Sequence, residues 1–254
     1  MYILLVDTPK EGDKNIKGVI KMIRLILKKF KKVLTLLLIG VMVNSFGYNS
    51  SFADVTVGID SGHYMGEPGK RSPYDPVFNY QKAEIEYNMG MARLVKQKLK
   101  ERRPDIKIYL TNPNATNQGR SQRAVEAKEH NVDYLISIHM NAIGDKWQNK
   151  INGCCVLVNK NATLQTKNMA KEFINGYSEG TGIKKVMGNG VHESGTEVGL
   201  LNKATELKIP SILLEMDFMD FYQSYRNFSD KDYLDHVADV ITDCIIHSVD
   251  NLNN

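Results

Sequence analysis

From Val55 onward the chain alternates short apolar runs, most of them β-branched or aromatic, with longer stretches whose apolar residues recur at helical spacing. That order admits few architectures. A run of four to eight apolar residues between turn signals reads as a buried strand, and strands separated by helix-length segments pair in parallel. The expected fold is a single α/β domain with a mostly parallel central sheet of about six strands and helices on both faces. Strands are expected at Val55–Asp60, Ile106–Thr111, Tyr134–His139, Cys154–Asn159 and Ser211–Met216, with a weaker sixth at Glu197–Leu201. Helices are expected at Lys82–Arg102, Arg120–Glu129, Thr163–Tyr177 and Asp230–Val249. In the first of these the stripe Ile85, Met89, Ala92 and Leu99 faces the core and leaves Glu84, Asn88 and Met91 on a flanking face. Two turn-rich loops, Gly66–Pro76 and Met187–Gly195, are long enough to form a site.

The segment before Val55 has a different character. Lys28, Lys29, Lys31 and Lys32 precede the apolar run Val33–Val43, and a polar tail ends in Ser51-Phe52-Ala53. Basic patch, short apolar run and small-x-small motif make a secretory signal, and the apolar run is shorter than the roughly 20 residues that cross a bilayer. Residues 1–53 are therefore expected to be an N-terminal extension and signal peptide, with translation starting at Met22 and cleavage after Ala53. The mature domain, 54–254, is expected to be secreted to the cell wall without a permanent membrane anchor. The leader also distorts the charge balance. It holds nine of the 33 Lys and Arg but three of the 29 Asp and Glu, leaving 24 basic against 26 acidic residues, a net of −2, from Asp54 onward. Such a domain offers no positive field for nucleic acid. Three cysteines, two of them adjacent at Cys154 and Cys155, do not make the even-numbered framework of a disulfide scaffold.

His63, His139 and Glu215 each fall at or just beyond the end of a separate expected strand. In an open α/β sheet the carboxyl ends of the strands share one edge, and ligands bind in the crevice outside it. Three metal-type side chains delivered there can converge. Two neutral imidazoles and a carboxylate make the His₂Glu set that holds zinc with a fourth position open to water, and a second carboxylate must then move protons. His130, His236 and His247 lie in or at the ends of expected helices on unrelated faces, and are read as structural or solvated. His192, in the second loop, is a candidate to face substrate.

At these residues the chain resembles the zinc-dependent N-acetylmuramoyl-L-alanine amidases found in bacterial autolysins and clostridial phage endolysins, over about Val55 to Val249. Ile59-Asp60-Ser61-Gly62-His63 matches the family's opening strand and first histidine, and Glu84-Ile85-Glu86-Tyr87-Asn88-Met89 matches its Glu-x-x-x-Asn helix start. Arg123 to Ala127, leading into Asp133-Tyr134-Leu135-Ile136-Ser137-Ile138-His139-Met140-Asn141-Ala142, matches its most recognisable block. Ile209-Pro210-Ser211-Ile212-Leu213-Leu214-Glu215 resembles its last core strand.

The resemblance implies one zinc ion per chain held by His63, Glu84 and His139, with Glu215 as the catalytic carboxylate. Glu86 is the rival to Glu84, and the Glu-x-x-x-Asn register favours Glu84. Asn141, His192 and Asp217 are expected near the substrate. Asp217 departs from the family, which usually has Gly-Phe where this chain has Asp217-Phe218. It either raises the Glu215 pKa by like-charge repulsion or points away. The implied substrate is bacterial peptidoglycan, cut at the amide between the lactyl group of muramic acid and L-alanine, and a protein partner for targeting is unknown. Two other readings of the same residues stay open: a non-catalytic muropeptide-binding protein, and a zinc peptidase cutting within the stem peptide.

Overall fold

The structure, a computed structural model, describes residues 54–252. The expected leader, start site and cleavage point lie outside the described residues. Within them, six strands form one sheet: β1 Thr56–Ser61, β2 Lys107–Thr111, β3 Tyr134–Asn141, β4 Cys155–Asn159, β5 Val191–Ser194 and β6 Ser211–Phe218, in the order β2-β1-β3-β6-β4-β5. The pairs β1/β2, β1/β3 and β3/β6 are parallel, and β4 runs antiparallel to β6 with β5 parallel to β4. Six helices pack around it: α1 Glu84–Arg102, α2 Arg120–Glu129, α3 Leu164–Thr181, α4 Gly199–Glu206, α5 Tyr222–Asn227 and α6 Lys231–Asp250. No helix among the described residues is long and apolar enough to cross a membrane.

Strand alternation divides the core. Val57 and Ile59, then Tyr134, Ile136, Ile138 and Met140, then Ile212, Leu214 and Met216 point to one face and bury against the layer of α1, α3 and α6. Leu135 and Leu213 point to the other face, under α2 and α4, in a smaller cluster with Ala124, Ala127, Leu200, Leu201 and Ala204. The same parity sends Asp60, Ser137, His139 and Glu215 to this second face, further along the strands. Both central strands outrun their expected ends by two residues, which keeps His139 and Glu215 paired in register.

Two expectations need correction. Glu197–Leu201 is not a strand: it leads into α4, where Leu200, Leu201 and Ala204 share a helical face on the smaller core. The sixth strand is β5, formed from the middle of the second turn-rich loop and laid along β4 at the sheet edge. In α1 the stripe is rotated from the expected one, with Met91, Val95 and Leu99 buried, Met89 half-buried, and Glu84 and Asn88 turned inward. Helix α5 has no strong apolar period and is not anticipated. The three cysteines are buried and unbridged.

Because Leu200 and Leu201 are 2% and 0% exposed, truncating either to Ala is expected to cost about 2–5 kcal/mol in urea unfolding. A strand at this segment would bury alternate residues, so a near-neutral result for one of the pair would count against the helix.

Candidate active site

The site begins where β1 ends. Gly62 continues the pairing with β3 through its N–H to the Ile138 carbonyl (3.1 Å), and His63 turns away in the left-handed region at φ 69°. Asn88 Nδ2 donates to the Gly62 carbonyl (3.1 Å) and Asn112 Nδ2 to that of His63 (3.2 Å), so two amides pin this corner. Only glycine fits at 62, because a Cβ there would lie 2.1 Å from Cε1 of His139. The two imidazoles meet edge to face with centroids 4.8 Å apart.

Glu84 opens α1, and its carboxylate lies between the two rings. Its Oε1 is 3.0 Å from His139 Nδ1 and its Oε2 is 3.1 Å from His63 Nε2, while Met140 N–H and Asn88 Nδ2 also donate to Oε1 (3.2 and 3.4 Å). Glu86 does different work. It accepts the Ala83 N–H at 2.6 Å, satisfying a donor at the helix start, and also accepts the Tyr80 hydroxyl. Of the two rivals, Glu84 is the one brought to the histidines.

The proton positions follow from the neighbours. Asp60, wholly buried beside the Arg123 guanidinium at 3.3 Å, accepts from Thr111 and from Ser137 Oγ (2.5 Å). A carboxylate has no proton to give, so the Ser137 proton points to Asp60, and Ser137 Oγ accepts from His139 Nε2 at 3.0 Å. Neutral His139 then turns the bare lone pair of Nδ1 on Glu84. Likewise Glu67 Oε2, 2.9 Å from His63 Nδ1, takes that ring's proton and leaves Nε2 facing Glu84. Lone pairs aimed at a carboxylate from two sides repel unless a cation lies between them. Ligand atoms of His63, Glu84 and His139 lie within 4.8 Å of one another. Both nitrogens and the carboxylate are presented in the protonation states that metal ligands require, so the residues fit a divalent ion.

Electrostatics agree. Burial pushes the His139 imidazole down, towards the neutral ring, against the pull of Glu84. Burial alone would raise the Glu84 carboxyl, but in the metal-free centre the pull of His139 and His63 outweighs it and holds it well below the usual range, so Glu84 is a carboxylate.

Glu215 stands opposite His139 across the β3/β6 pair. Its Oε2 is sealed from solvent and has no hydrogen-bond partner. Burial, reinforced by the Glu84 charge and opposed by Lys70, raises this carboxyl above its ordinary range. His63, Glu84 and Glu215 line a cavity of about 540 Å³ bounded by Gly69–Ser72, Gln81, Met140–Asp145 and Met219. The first turn-rich loop thus forms a wall of the site, and Asn141 lines it as well.

His192 and Asp217 are not brought to this cavity. His192 is exposed on edge strand β5, opposite Leu157. In an unbroken strand Asp217 would share a face with Glu215. A bulge shifts the register so that Phe218, rather than residue 217, pairs with Asn141. The Asp217 carboxylate accepts from Gly153 N–H (2.7 Å), Phe218 N–H (2.8 Å) and Ser224 Oγ (2.6 Å), pointing away from the chemistry. The like charge acting on Glu215 is Glu84 instead. His130 stacks on Tyr109, His236 bonds the Gly180 carbonyl and His247 pairs with Glu172, all elsewhere. Asp60, Ser137, Arg123 and Glu67 are site residues that sequence reasoning leaves without a role. Polar Asp60 and Ser137 on apolar strands at the parity of His139 were the available signal.

If Ser137 fixes the His139 tautomer, Ser137→Ala is expected to weaken divalent-metal affinity about 10- to 100-fold in chelator competition. Wild-type affinity in that variant would exclude the orienting role.

The sequence profile of the family described as N-acetylmuramoyl-L-alanine amidase matches residues 57–247. No curated protein is matched by sequence comparison. Among solved structures, an N-acetylmuramoyl-L-alanine amidase from Clostridium difficile 630 is similar with TM-score 0.66 and 23% identity, over 77% of this chain and 97% of that one. The catalytic domain of CwlV, an N-acetylmuramoyl-L-alanine amidase from Bacillus (Paenibacillus) polymyxa var. colistinus, gives TM-score 0.64 and 23% identity, over 77% and 98% of the chains. Ami1 from Mycobacterium smegmatis, an N-acetylmuramyl-L-alanine amidase, gives 0.64 and 18%, over 79% and 99%. These likenesses carry the fold, the profile spans most of the chain, and the sheet edge presents the two histidines and two glutamates that the motifs require: the chain belongs to the N-acetylmuramoyl-L-alanine amidase family.

Proposed function

We propose that this protein is a secreted zinc amidase that hydrolyses the bond between the lactyl group of muramic acid and L-alanine in bacterial peptidoglycan. The observation that carries the reading is Glu215: a carboxylate with one unpartnered, sealed oxygen, beside a His₂Glu cluster, in the wall of an open cavity. His63, Glu84 and His139 would hold the zinc ion, which when bound polarises the scissile carbonyl and makes water nucleophilic.

The chain's own residues supply the rest. The Glu215 carboxylate is the acceptor for the proton of the attacking water, and its raised affinity for a proton lets it keep that proton until the amine leaves. It then delivers the proton to the alanine nitrogen, because an amine departs only when protonated, so one carboxylate serves as base and then acid. Ser137 and Glu67 hold the imidazoles in one orientation each, and the pinned corner at Gly62 and His63 keeps both rings in place. Asn141, in the cavity wall beside His139, is positioned to bond substrate. With translation starting at Met22, residues 22–53 act in this reading as the export leader. Intact-mass analysis of the wall-associated protein is expected to give a chain beginning at Asp54, and a mature chain retaining residues 1–53 would exclude export by this leader.

Glu215→Gln is expected to retain zinc and lose turnover of purified peptidoglycan by about 10²–10⁴-fold, whereas His139→Ala loses both. Glu215→Gln hydrolysing at the wild-type rate would overturn the role assigned to Glu215. The same variant reports on stability. A carboxyl whose folded pKa lies above its ordinary value of 4.5 destabilises the fold as pH rises past 4.5. Metal-free Glu215→Gln is therefore expected to melt above metal-free wild type at pH 7, and to lose that advantage below about pH 4.5.

A further inference from the structure

Two cations in the cavity wall have no role in the chemistry above. Lys70 and Arg71 lie on the strap that runs into α1, and its backbone is tightly held. Glu84 N–H donates to the Lys70 carbonyl (2.9 Å), Arg71 bridges Ala83 in antiparallel fashion, and Ser72 exchanges bonds with Lys82 through N–H to carbonyl (2.8 Å) and N–H to Oγ (3.0 Å). Both residues line the cavity, and neither side chain has an ion-pair or hydrogen-bond partner among the described residues. Other basic residues near the site are committed: Arg123 to Asp60, and Lys82 to the Phe228 carbonyl and the Tyr87 ring. Lys70 lines the same cavity as Glu215, where its charge opposes the rise of that carboxyl, and it lies outside the cluster that would hold metal.

Resting on the amidase reading, we propose that Lys70, with Arg71 at the mouth, recognises a free carboxylate on the stem peptide and makes the enzyme selective for acidic stems. Beyond L-alanine, a stem continues with a D-glutamate joined through its side-chain carboxyl. The α-carboxyl of that residue is either free or capped as an amide. It arrives roughly two residue-lengths, about 7 Å, past the scissile nitrogen. An ammonium within reach of that group gains a charge-assisted hydrogen bond from the free acid and loses it with the amide. The neutral wall residues Gln81 and Asn141 bond either form and give no such discrimination.

The test compares the zinc-loaded full chain on two soluble muramyl tripeptides, identical except that the glutamate α-carboxyl is free in one and amidated in the other. Wild type is expected to prefer the acid by roughly 10-fold in kcat/KM, Lys70→Gln to reduce that preference to about 2-fold or less, and Lys70→Arg to retain most of it. Equal rates on both substrates in wild type would overturn the inference while leaving the amidase reading intact. Lys70→Gln slowing both substrates equally would also overturn it, assigning Lys70 to Glu215 or to folding. Failure of wild type to release the peptide from either substrate would sink the amidase reading itself, and the inference with it. A separate readout is calorimetric binding by Glu215→Gln, which should favour the acidic tripeptide and lose that bias when Lys70→Gln is added.

Discussion

Glu84 faces an imidazole nitrogen with each of its oxygens, at 3.0 and 3.1 Å, and most of the local architecture exists to keep it there. The carboxylate is almost fully buried, a state that costs several kcal/mol unless charge and hydrogen bonds compensate. Met140 N–H and Asn88 supply part of that compensation. The remainder must come from positive charge between Glu84 and the two rings. Without an ion the centre must share protons among these groups, and with one the same atoms would be its ligands. The helix start, the left-handed turn at His63 and the reach of β3 are all arranged around this one group.

A second layer decides which nitrogen each ring presents. On the His139 side a buried chain runs from Arg123 through Asp60 and Ser137, and on the His63 side Glu67, with Arg120 3.8 Å from its other oxygen, acts from a turn. The two sides differ in rigidity. Asp60 and Ser137 belong to adjacent paired strands and cannot move without breaking the sheet, whereas Glu67 follows the turn that opens the cavity's strap.

Much of this was legible in the chain. Five strands and four helices are where periodicity puts them, and the family motifs name His63, Glu84, His139 and Glu215, the four side chains that the fold gathers at one sheet edge. What failed has physical causes. Leu200 and Leu201 are neighbours in a short apolar run, and such a run does not distinguish a buried strand from a helix until Ala204 is seen to complete a face. Asp217 follows Glu215 by two, which in sequence means the same side, and a one-residue bulge inverts that. The roles of Ser137 and Glu67 depend on which proton goes where, a property of three-dimensional neighbours that no linear spacing encodes. Lys70 and Arg71 resemble any exposed basic pair until the strap is seen to bend them into the cavity wall.

The three side chains that could hold an ion come from positions 63, 84 and 139, spread across more than a third of the residues from Val55 onward. A bound ion therefore ties two long loops of chain to one point. In a protein whose three cysteines are all unbridged, such an ion is the one cross-link this centre can form, and like a disulfide it would act largely by depriving the unfolded chain of freedom. With an ion bound, the reactive centre would thus also be a clasp, and stripping the ion would loosen the same sheet edge that carries the catalytic groups.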